Sequence, residues 1–86
     1  MIRVEEMDEN TFQVTVEENG GSSRHTVIVD DDYFQKLTDG EMSKEELVKK
    51  SFEFLLEREP KESILSSFEL SVIARYFPEY ERKIGS

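Results

Sequence analysis

Thr11-Phe12-Gln13-Val14-Thr15-Val16-Glu17 alternates apolar and polar residues with a period of two, which puts Phe12, Val14 and Val16 on one face of a half-buried strand. Beyond it, Glu18-Asn19-Gly20-Gly21-Ser22-Ser23 offers two glycines able to take positive φ, and Arg24-His25-Thr26-Val27-Ile28-Val29 reads as a second, β-branched strand. An antiparallel hairpin follows from the pair. Before it, Ile2-Arg3-Val4-Glu5 shows a weaker alternation, and Asp8-Glu9-Asn10 supplies the turn that folds it back onto the strand starting at Thr11. The sequence therefore predicts a three-stranded antiparallel meander.

Downstream the period changes from two to that of a helix. Asp30-Asp31-Asp32 closes the strand region and supplies an N-cap and first-turn acids for a short helix, Asp32 to Leu37, that stops at Thr38-Asp39-Gly40. Ser43-Lys44-Glu45-Glu46 is a capping box that opens a longer helix running to about Glu59, where Pro60 ends it. On that helix Phe54, Leu47, Ser51, Leu55, Val48, Phe52 and Leu56 form an arc of about 200°, wider than the ~100° a helix resting on a sheet alone requires. Its second side should meet the C-terminal segment or another copy of the chain. Past Pro60, the stretches 62–68, 70–77 and 78–84 each suit one or two helical turns, with Ser71 placed to cap the second and Pro78 at the first position of the third. The predicted fold is α+β in a single domain, 1–86, with the meander packed on one long helix and several short C-terminal helices.

Composition narrows the function classes. At 86 residues, folding buries roughly 60 to 65 % of the unfolded chain's surface. Cysteine is absent, which excludes a disulfide framework, a thiolate zinc site and a cysteine nucleophile. The net charge of −9 disfavours nucleic acid as a partner. It is unevenly placed: residues 1–43 hold three basic against eleven acidic groups, residues 44–86 eight against nine. The acidity belongs to the meander and its turn into the first helix. No apolar run approaches the ~20 residues of a membrane span, and an N-terminus acidic within five residues is unlike a secretory signal or transit peptide, so a cytoplasmic location is expected.

Few residues carry chemistry. His25, the single histidine, lies in phase with Val27 and Val29 on a strand, so its ring is expected on the core face or rim; it is the one near-neutral acid–base group and a candidate ligand contact. Asp30, Asp31 and Asp32 are a candidate partner-binding cluster. As a calcium loop they fail, because counting from Asp30 places Phe34 and Gln35 at the fifth and sixth positions and only Glu41, at the twelfth, matches. No metal and no cofactor are expected. Gly20-Gly21 leads into a strand rather than a lysine and a helix, which makes it a hairpin turn and no phosphate loop; nucleophile-elbow, zinc-protease and dinucleotide motifs are missing as well. Tyr76, Phe77 and Tyr80, flanked by Arg75, Arg82 and Lys83, form the second candidate partner-binding cluster, with core packing as the competing reading because Glu79 and Glu81 interrupt the basic residues.

The run Glu46-Leu47-Val48, then Ser51-Phe52-Glu53-Phe54-Leu55-Leu56-Glu57-Arg58-Glu59-Pro60, then Glu62-Ser63-Ile64-Leu65, ending in Tyr76-Phe77-Pro78-Glu79-Tyr80-Glu81, resembles a family of small prokaryotic proteins of no established activity. The resemblance spans about the last 40 residues and implies a natural single-domain protein. It implies no catalytic residue or cofactor. The sequence leads to a non-enzymatic accessory module that docks a partner protein, with the acidic hairpin side or the apolar C-terminal helices as the contact. Two alternatives stand beside it: a small enzyme or ligand binder using His25 with nearby carboxylates at a homodimer interface, and, by analogy with other compact β-then-α proteins, an antitoxin-like regulator.

Overall fold

A computed structural model describes residues 1–18 and 20–84. Strands β1 (Ile2–Glu6), β2 (Thr11–Glu18) and β3 (Gly21–Ile28) form the meander; β2 and β3 are joined by a turn in which Gly20 takes φ of 78°, and Asn19 lies outside the described residues. The alternation in β2 has the consequence its pattern dictates. Phe12, Val14 and Val16 are buried, as are His25 and Val27 across from them on β3, whereas Gln13, Thr15, Arg24 and Thr26 face away.

Helix α1 covers Asp31–Thr38, one residue longer at each end than the sequence predicts. The Asp30 carboxylate accepts from the Tyr33 N–H at 3.2 Å, and Asp39 ends the helix in the left-handed region at φ 52°, followed by Gly40 at φ 76°. Helix α2, Lys44–Leu56, opens with both halves of the Ser43/Glu46 capping box in place. It stops short of Glu59. Pro60 disfavours helical backbone at the residue before it, and the helix gives way to a turn in which the Arg58 and Glu59 N–H groups both bond the Leu55 carbonyl and the Arg58 guanidinium donates to the Phe54 carbonyl at 3.1 Å.

The wide apolar arc of α2 is buried on both sides. Leu47, Val48, Ser51, Phe52, Phe54 and Leu55 are all buried and Leu56 is half-buried. The sheet takes one side; the other is closed by α4 (Tyr80–Ile84), whose Tyr80 ring packs edge-on against Phe54 at 5.3 Å. Ile64, Phe68, Leu70, Ile73 and Ile84 complete a single core with Val29 and Leu37.

The C-terminal third departs from the prediction. The stretch 62–68, expected as a helix, is instead a 3₁₀ turn (Lys61–Ser63) followed by a fourth strand, β4 (Ser67–Glu69), which runs parallel to β3 and makes the sheet mixed, in the order β1-β2-β3-β4. The reason is tertiary. The backbone groups of Thr26 and Ile28 point away from β2, and β4 satisfies them: the Thr26 N–H donates to Ser66 O at 2.8 Å and the Leu70 N–H to Ile28 O at 2.9 Å. A lone strand edge does not announce this need in the sequence of its partner. The helix expected over 70–77 shortens to α3 (Val72–Tyr76); Ser71 precedes it without a side-chain cap bond, and Pro78 sits in the turn before α4 rather than inside it. The fold is thus α+β, with four strands among the described residues in place of three. Among the described residues no helix is long and apolar enough to cross a membrane.

Candidate functional site

The acidic half does not form one charged face. On the sheet surface turned away from the helices, Arg3 and Arg24 alternate with Glu5 and the half-buried Thr11, Gln13, Thr15 and Thr26. The carboxylates concentrate instead in the connections, and the β1–β2 turn meets the β3–α1 junction through Asn10 and Lys44. Asn10 Nδ2 donates to Val29 O at 2.7 Å and reaches Asp31 at 3.4 Å, while Lys44, from the first turn of α2, donates to Glu9 O at 3.0 Å and pairs with Asp31. The Lys44 ammonium, hydrogen-bonded to the Asp31 carboxylate, holds that group below the usual carboxylate range. Of the triplet, Asp30 is the α1 cap, Asp31 is held by Lys44 and Asp32 is an exposed first-turn acid. Among the described residues no three or more histidine or carboxylate side chains gather in a way that would hold a metal ion.

His25 is enclosed, with 3 % of its surface exposed. Its Nδ1 lies 2.8 Å from Leu65 O, an acceptor only, so Nδ1 carries the proton and Nε2 accepts from the Ser23 hydroxyl, also at 2.8 Å. The ring tilts against Phe52 at 5.3 Å. Both nitrogens are occupied and, among the described residues, no carboxylate bonds them, so the imidazole acts here as a bracket that ties the segment before β4 to β3.

The C-terminal aromatics separate into two roles. Tyr80 is wholly buried, its hydroxyl 2.6 Å from Ser51 Oγ, which itself donates to Leu47 O at 2.7 Å; Tyr80 therefore donates to Ser51. Burial raises the Tyr80 hydroxyl above its ordinary pKa. The Tyr33 hydroxyl is raised too, by burial first and then by the Glu81 carboxylate it donates to at 2.8 Å. Tyr76, by contrast, is 68 % exposed, and Phe77 is half-buried with its ring against Phe54.

Tyr76 and Phe77 line an apolar groove of about 210 Å³. Leu55 lines it from α2 and Glu59 from the turn beyond, Ser63, Ile64, Leu65 and Phe68 from the 3₁₀ turn through β4, and Val72 and Ile73 from α3. Leu65, 49 % exposed, and Tyr76 stand at its rim as the large apolar side chains most open to solvent there. The volume is below the ~300 to 1,000 Å³ of small-molecule sites and suits one or two anchoring side chains of a partner. Of the cluster expected from the sequence, Tyr76 and Phe77 line this groove and the buried Tyr80 does not; Leu65 was not among the candidate residues.

Comparison with protein-family models, curated proteins and solved structures returns no match.

Proposed function

We propose that this chain is a non-enzymatic binding module whose groove between α2, β4 and α3 receives an apolar anchor from a protein segment flanked by basic residues. One observation carries the reading: Leu65 and Tyr76, 49 % and 68 % exposed, flank a groove lined mainly by hydrophobic side chains. Exposed large apolar side chains grouped at a concavity mark docking sites more often than chance. The basic flank follows from charge. Glu59 is the charged residue of the lining, and a protein of net charge −9 favours cationic partners during encounter. The enclosure of His25, with both ring nitrogens taken, supports a binding role over the acid–base alternative.

The test uses two synthetic helical peptides with the same Leu/Phe anchors, one flanked by lysines and one by glutamates, titrated into the full chain while backbone amide shifts are followed by NMR. The lysine-flanked peptide should shift residues 63–77, the glutamate-flanked one should bind at least roughly tenfold more weakly, and L65S with Y76S should abolish both. Shifts confined to the Asp30–Asp32 junction, or binding indifferent to L65S and Y76S, would overturn the groove as the docking site.

A further inference from the structure

Strand β1 forms one edge of the sheet, and the phase of its hydrogen bonding is fixed by its ends. Met1 and Glu17 exchange backbone bonds of 2.6 and 2.8 Å, and the Met7 N–H donates to Thr11 O at 2.8 Å. With the register Ile2↔Val16 through Glu6↔Phe12, Arg3 and Glu5 are the residues bonded to β2, and the N–H and C=O groups of Ile2, Val4 and Glu6 point outward. Among the described residues nothing pairs with them. Ile2 and Val4 are also only half-buried, although their side chains lie on the core face.

An open edge of this kind can accept another strand, and its charges decide which. We infer that β1 is a self-association edge on which a second copy of this chain pairs antiparallel about Val4, extending the sheet across two subunits. A two-fold axis through identical edges requires antiparallel pairing, and the outward phase restricts hydrogen-bonded partners to Ile2, Val4 and Glu6. Three closely overlapping registers meet both conditions. Centring on Arg3 sets that arginine against its own copy, and centring on Glu5 does the same for the glutamate; like charges directly opposite oppose pairing. Centring on Val4 places Arg3 across from the partner's Glu5 and Glu5 across from the partner's Arg3, both in non-hydrogen-bonded positions where side chains come closest. Val4 then meets the partner's Val4 on the core face, and Ile2 and Glu6 exchange backbone bonds with the partner's Glu6 and Ile2. The edge charges that deter indiscriminate pairing thus permit a single register.

The experiment exploits the symmetry. Arg3 and Glu5 are exposed, so R3E and E5R leave the fold intact, which circular dichroism verifies. Sedimentation velocity over a concentration series to about 1 mM should show dimers of the unmodified chain. Each single variant sets like charges opposite each other at two places, so its self-association should weaken by roughly tenfold or more. An equimolar mixture of R3E and E5R restores opposite charges at both places and should recover dimers, as should the double variant R3E/E5R alone. A chain that sediments as a monomer throughout, or a dimer indifferent to R3E and E5R, would overturn the inference. Dimers lost on L65S and Y76S but kept in R3E would assign self-association to the groove and overturn it equally.

Discussion

Tyr80 and Ser51 form a buried relay whose removal should give free energies of opposite sign in two backgrounds. Ser51 Oγ accepts from the Tyr80 hydroxyl at 2.6 Å and donates to the Leu47 carbonyl at 2.7 Å, with both residues at 0 % exposure. Tyr80→Phe takes away one donor and leaves Ser51 bonded to Leu47, so it should cost about 1 kcal/mol. Ser51→Ala leaves the Tyr80 hydroxyl buried with nothing to donate to, a penalty of about 1 to 3 kcal/mol, reduced by the ~0.5 kcal/mol that alanine gains over serine inside a helix. Once Ser51 has gone, Tyr80→Phe removes the stranded hydroxyl and should stabilise the protein or leave it unchanged. Urea denaturation of the unmodified chain, the two single variants and the double variant, followed by circular dichroism, closes the cycle. A coupling energy of about 1 to 2 kcal/mol is expected. Strict additivity, with Tyr80→Phe equally costly in both backgrounds, would refute the donor–acceptor assignment.

Three further outcomes follow from contacts elsewhere in the fold. Because folding raises the Tyr80 hydroxyl above its unfolded value of 10.0, its contribution is fully present below pH 10 and is lost as pH rises above it. Each pH unit there should remove up to about 1.4 kcal/mol, and Tyr80→Phe should flatten the alkaline limb of a stability–pH curve; an unchanged limb would contradict the burial argument. His25→Ala should destabilise by about 2 to 3 kcal/mol and speed hydrogen exchange at the Thr26 and Leu70 amides ahead of the β1–β2 ladder, and uniform acceleration would deny the bracket role. Arg58, its guanidinium 3.6 Å from the Phe54 ring centroid and 3.2 Å from Glu79, should cost about 1 to 2 kcal/mol as Arg58→Ala and less than half of that as Arg58→Lys, measured by thermal unfolding.

What the sequence disclosed depended on how local the deciding interaction was. The alternation through Phe12, Val14 and Val16 and the Ser43–Glu46 capping box are each settled within a few residues and appear where the chain predicts them; the acidic triplet also caps α1, one residue earlier than expected. The double-sided burial of α2 was also legible, since an arc of seven apolar or small residues needs two covers. Strand β4 was not. Ser67-Phe68-Glu69 has no strand character of its own, and it becomes one because β3 has unpaired backbone groups on its far side and Leu65 O can meet His25. The same non-local placement sets the groove, because Leu65 is exposed only once Phe68 is committed inward. As for Tyr80, the pattern of aromatics around Pro78 could not separate a residue at 0 % exposure from its neighbour Tyr76 at 68 %; that depends on the hydroxyl of Ser51, a turn of chain away in space and 29 residues away in sequence.

The pairing of β4 with β3 also orders events in time. Thr26 meets Ser67 only after the whole α1–α2 connection has been made, whereas β2 finds β3 across a tight turn. On a ribosome the meander, α1 and α2 are translated ahead of residues 67–84, so the far edge of β3 and the outer flank of α2 must wait, uncovered, for the segment that seals them. The wait is longest for Phe54, covered by Phe77 and Tyr80, and for Ser51, whose hydroxyl meets Tyr80. A chain halted before α4 is therefore the form of this protein most prone to clump, and Tyr80 is the residue whose arrival ends that exposure.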